Sequence, residues 1–193
     1  MKNSKTLVII ILLTLFVSVA SAQQSPTEPV SAINTWSTHF KGVYISLTQI
    51  LKEQAQAFYV NRGFSLEQIE AYASSCIFMA VMRNDTAPGI VHFNSNNWSV
   101  LIDGKEHSRL SVDEWLHRLS TESFETGIPE KGALVAFRWA QFPPEQEYEP
   151  GGDWNQGMLS LNLSPGSQFD LLMRWDIAGK PFKTTMTGLS CAE

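Results

Sequence analysis

Between Pro143 and Gly157 four carboxylates, Glu145, Glu147, Glu149 and Asp153, are interleaved with Tyr148 and Trp154 and bounded by Pro143-Pro144 and Gly151-Gly152. Residues of these types support three kinds of chemistry. Carboxylates can hold Ca²⁺, although the regular ligand spacing of a calcium loop is missing here. A pair drawn from Glu145, Glu149 and Asp153 can act as acid and base on a glycosidic bond. Aromatic rings beside carboxylates can also stack on a sugar or a peptide. A long loop between two strands is often a binding element, and the other reading is a solvated connection with Trp154 folded back on the sandwich. Glu145, Glu147, Tyr148, Glu149, Asp153 and Trp154 are therefore the candidate binding residues.

Metal chemistry is the second possibility. Met79, Met82 and His92 offer soft sulfur and imidazole of the kind that hold Cu(I). Methionines more commonly fill gaps in a core. His39, His92, His107 and His117 are scattered and lack close-spaced partners. The sequence has no Gly-rich phosphate loop, no G-x-S-x-G elbow and no H-E-x-x-H zinc motif. Its residues name no cofactor.

Two cysteines, Cys76 and Cys191, lie too far apart for a C-x-x-C redox pair and read as a structural disulfide. That reading requires an oxidising compartment, and the N-terminus supplies one. Lys2 and Lys5 precede an apolar run from Leu7 to Val19, and Ala20-Ser21-Ala22 fits a signal peptidase. Cleavage is expected before Gln23, leaving a protein in the periplasm or secreted, with no membrane anchor. Three Asn-x-Ser/Thr sequons, at Asn84, Asn97 and Asn162, would carry glycans only in a eukaryotic secretory pathway. Loss of Lys2 and Lys5 leaves 12 basic against 19 acidic side chains. Such an acidic balance argues against nucleic acid as a partner.

The elements that must position these residues follow from patterning. Residues 23–38 are expected to be a flexible lead-in and 39–193 a single domain. Val43 to Leu47 alternates as a strand. Ile50, Leu51, Ala55 and Phe58 recur at helical spacing. Ser65 with Gln68, and Ser111 with Glu114, are capping boxes that open two further helices. Cys76 to Met82 reads as a central strand, Ile90–Phe93 and Trp98–Ile102 as the next two, and Asp103-Gly104 as a hairpin turn. Ala133 to Phe142 is strongly apolar and predicts another strand. Leu159 to Leu163, Phe169 to Ile177 and Phe182 to Ser190 alternate toward the C-terminus.

These strands and turns predict a mainly β fold, an antiparallel sandwich with two or three short helices. The layout is similar to the immunoglobulin-like sandwiches of exported bacterial proteins. The local echo is the Asn-rich turn Arg83-Asn84-Asp85, followed by a strand and the hairpin Ile102-Asp103-Gly104. The resulting expectation is an exported, non-enzymatic binding or accessory protein whose partner is another exported or membrane-associated protein. Copper handling and carboxylate-dependent hydrolysis are the alternatives.

Overall fold

The computed structural model describes residues 33–193. The expected signal segment and cleavage site and most of the expected lead-in lie outside them. Strand β1 (Thr35–Phe40) already pairs with β2 (Val43–Ile50). The lead-in expected to run to residue 38 therefore ends earlier. Trp36, Thr38 and Phe40 alternate inward, and Trp36 and Phe40 meet Phe78 and Trp175 edge to face.

After β2 come helices α1 (Lys52–Val60) and α2 (Leu66–Ala73), then strand β3 (Ile77–Asn84). The Ser65 capping box closes as its sequence requires. Ser65 Oγ accepts from the Gln68 N–H at 3.2 Å, and Gln68 Oε1 accepts from the Ser65 N–H at 2.8 Å. β4 (Val91–Asn94) and β5 (Ser99–Ile102) flank a short 3₁₀ turn, Ser95–Asn97. Asp103 and Gly104 then adopt positive φ, 50° and 73°, to turn β5 into β6 (Lys105–His107). α3 (Val112–Thr121) opens on the Ser111–Glu114 box.

Ala133–Phe142 is not a strand. Lys131–Ala140 forms helix α4, with Ala133 and Phe137, one helical turn apart, as its buried face. The fold thus has four α-helices among the described residues rather than two or three. The segment 143–157 is not a loop either. It contains β7 (Glu145–Tyr148) and the start of β8 (Asp153–Ser160). β9 (Gln168–Ile177) and β10 (Lys180–Ser190) complete the chain as a long hairpin.

All strand pairings between named strands are antiparallel. One sheet has the order β1-β2-β3-β8, and the other runs β6-β5-β9-β4-β7 with β10 on the far side of β9. Inward residues of both sheets share one core. Val43, Ile45, Phe78 and Met82 from the first meet Phe93, Leu171, Met173 and Trp175 from the second. The helices build a second core on the outer face of the four-stranded sheet, around Tyr59, Tyr72, Trp115 and Phe137. Inside it Gln141 joins two buried hydroxyls: its Nε2 donates to Tyr59 Oη at 2.7 Å, and its Oε1 accepts from Tyr72 at 2.9 Å.

The chain after α4 runs tightly along β8. Phe142 N–H donates to Met158 O at 2.8 Å. A Cβ on Gly157 would lie 2.3 Å from Phe142 N, so only glycine permits this approach. Cys76 and Cys191 form a disulfide across 115 residues, pinning the end of β10 beside the start of β3. This bond is compatible with an exported protein. No described helix is long and apolar enough to cross a membrane.

Candidate functional site

Five of the six candidate residues between 143 and 157 are divided between the two sheets, and Glu149 lies in the turn between them. β7 adds to β4 with Val91 opposite Tyr148, His92 opposite Glu147 and Asn94 opposite Glu145. The chain then crosses to the other sheet, where Trp154 lies opposite Arg83 on β3. The turn between is held by Gly152 N–H to Asn84 O at 2.7 Å and Glu149 N–H to Asp153 Oδ2 at 3.2 Å. The Glu149 backbone and the Asp153 carboxylate therefore shape the crossing.

Tyr148 is not a surface anchor. It is 1% exposed and stacks on Phe93, with ring centroids 5.7 Å apart and planes within 8°. Its ring belongs to the core, and burial pushes its hydroxyl pKa up.

Glu145 reaches back over β4 to His92, whose Nε2 lies 2.8 Å from Glu145 Oε1. On the other side, His92 Nδ1 lies 3.0 Å from Asp176 Oδ2 on β9. A neutral imidazole has one donor and one acceptor nitrogen, so it can bond only one of these carboxylates. The charged form donates to both. His92 is accordingly held above its ordinary pKa, by the Glu145 hydrogen bond first and the Asp176 hydrogen bond second. Three strands are thereby joined through one ring.

The proposed copper ligands do not converge. Met79 and Met82 are three residues apart on β3 and so point to opposite faces. Met82 is fully buried between the sheets, Met79 packs against the helix core, and His92 belongs to the other sheet. Among the described residues no group of three or more His, Cys, Asp and Glu could hold a metal ion.

Trp154 has the environment expected of a binding residue. It is 52% exposed on the outer face of the four-stranded sheet. The pairing registers place it in one cross-strand row: His39 beside Tyr44, Tyr44 beside Arg83, Arg83 beside Trp154. Arg83 is fixed in this row. It is paired with Asp85, and its guanidinium carbon lies 4.9 Å from the Tyr44 ring centroid. Asp85 also contacts His39 at 3.4 Å.

Pattern reading missed the other half of this surface. Trp139, 83% exposed, and Val135, 47% exposed, form the outward face of α4. A groove of about 410 Å³ runs from Trp139 and Arg138 across Pro143 and Pro144 to Asn155 and Gln156 on β8. β8 is an edge strand, yet its N–H groups are closed locally. Asp153 Oδ1 accepts from Trp154 N at 3.0 Å, and Asn155 Oδ1 accepts from Gln156 N at 2.7 Å. The signal for this site was present in the sequence: Val135 and Trp139 are four residues apart, on the helix face opposite Ala133 and Phe137. Comparison with protein-family models, curated proteins and solved structures finds no match.

Proposed function

We propose that this chain is an exported, periplasmic or secreted, non-enzymatic binding or accessory protein. It engages another exported or membrane-associated protein through the surface of Trp139, Val135, Trp154 and Arg83. An immunoglobulin-like sandwich is the scaffold in this reading. The observation that carries it is the exposure of two tryptophans: Trp139, which lines the groove, and Trp154, which precedes the groove residues Asn155 and Gln156 on β8. Exposed rings of this size leave apolar area in water, which a monomer gains nothing from keeping. Trp, Tyr and Arg are also the side chains that dominate binding energy at protein interfaces. Here they come as a preset group: Arg83 is held by Asp85 and Tyr44, and Arg138 is paired with Asp113 at 2.7 Å. Fixed side chains lose little freedom on binding, which favours affinity.

The test is crosslinking in intact cells from a photoreactive residue at position 135, followed by identification of what is captured. Replacing Trp139 and Trp154 together with Ala is expected to abolish capture while leaving the thermal midpoint nearly unchanged. Truncating an interface anchor costs about 2 kcal/mol or more. Capture that survives the double substitution overturns the reading.

A further inference from the structure

The outer face of the six-stranded sheet carries a second feature, independent of the tryptophan surface. An open cleft of about 780 Å³ lies there, within the size range of small-molecule sites. It exists because the strand ladder beside β9 is interrupted. β4 pairs with β9 only at Val91–Ile177 and His92–Asp176. The chain then leaves through the 3₁₀ turn, and β5 rejoins β9 at Ser99–Leu172. Arg174 and Asp176 line the gap from β9, and Lys183 lines it from β10, directly opposite Arg174.

The charges along this gap do not cancel locally. Two cations opposite each other on a sheet repel. Glu106 bonds one of them, with both oxygens on Arg174 Nη2 at 3.0 and 2.9 Å. Arg174 Nη1 is taken by Asn97 O and Ser99 Oγ. This end holds two positive charges and one negative, with the Lys183 ammonium left over. At the other end the His92 imidazolium stands between Asp176 and Glu145, which leaves one negative charge in excess. Arg174 and Asp176 are two residues apart on one strand face, a separation of about 6.7 Å. Asn94 and Asn97 supply amides between the two ends, and Pro181, opposite Asp176, supplies apolar lining.

We infer that this cleft binds a small zwitterion of the α-amino acid type. Its carboxylate lies toward Lys183 and the Asn97 amide, its ammonium toward Asp176, and its side chain against Pro181. A simple anion would meet Asp176, and a simple cation would meet Lys183. Only a molecule with both charges satisfies both ends, so the arrangement selects against either alone.

The experiment is calorimetric titration of the mature protein with three probes: L-phenylalanine, N-acetyl-L-phenylalanine and phenethylamine. The first keeps both charges, and the others each lack one. L-phenylalanine is expected to bind about tenfold more tightly than either, the loss of one charge-assisted contact set at one end. Lys183→Ala should weaken L-phenylalanine about tenfold and erase its advantage over phenethylamine. Equal binding of L-phenylalanine and its N-acetyl derivative overturns the inference, as does no binding of any probe at about 10 mM. The probe series uses the unaltered protein, so the outcome does not depend on a variant folding. It is also independent of whether the tryptophan surface captures a partner.

Discussion

Replacing Cys76 and Cys191 together with Ala removes the constraint that closes a 115-residue separation. In the chain-entropy model a loop of that length withholds about 16 cal/mol/K from the unfolded chain, about 4.8 kcal/mol at 25 °C. The hydrogen bonds that hold the backbone around the bond use no sulfur atom. Cys76 N–H donates to Leu163 O at 3.0 Å, Cys76 O accepts from Leu161 at 2.9 Å, and Cys191 N–H donates to Ser167 O at 2.9 Å. The loss therefore falls mainly on the unfolded state. A domain's whole stability is about 5–15 kcal/mol, so the variant should fold but lose a third or more of its margin. Urea unfolding of the oxidised protein and the double variant measures this directly. The expected result is a difference of about 4–5 kcal/mol, a midpoint lower by roughly 10–20 °C, and a steeper denaturant slope as the unfolded chain expands. A difference under about 2 kcal/mol would refute the argument that loop closure sets the contribution of this bond.

His92 predicts a pH dependence of definite sign. Because its folded-state pKa is raised by Glu145 and Asp176, its contribution is complete below the unfolded value near 6.5 and is lost as pH rises through the folded value. The side chain is 35% exposed, so solvent screening keeps each pair below about 1 kcal/mol. Thermal midpoints of the wild type and His92→Gln should converge as pH increases from 6, and divergence there refutes the charged bridge. Gly157→Ala drives a Cβ into the backbone of Gln141 and Phe142, at 2.4 and 2.3 Å, and should cost about 3 kcal/mol in urea unfolding. A loss within 0.5 kcal/mol, as at an open surface site, would show that β8 and residues 141–142 can move apart freely.

How far the sequence could be read depended on whether a signal was local. Ser65 with Gln68, and Ser111 with Glu114, close hydrogen bonds three residues apart, and both helices begin where those pairs require. Asp103-Gly104 turned the chain for the same reason. Helix α4 was unreadable because both its faces are apolar. Ala133 and Phe137 are buried while Val135 and Trp139 face solvent, so the run resembled a doubly buried strand. The residues that hid the helical period are the ones that mark the surface. Glu145, Trp154 and His92 are legible as candidates, but their pairing is not. His92 meets Glu145 and Asp176, and Arg83 lies opposite Trp154, only through strand register, which no local pattern encodes. Tyr148 looked like its neighbours in sequence and differs from them solely in which way β7 faces.

The closed N–H groups of β8 bear on how this protein behaves at high concentration. An exposed edge strand beside apolar rings is a template for stacking one chain on another. At β8 the Asp153 and Asn155 side chains already occupy the donors of Trp154 and Gln156, so an incoming strand would have to break those bonds first. The tryptophans can therefore stay accessible to a side-chain-led contact while sheet-to-sheet propagation is blocked at the same place.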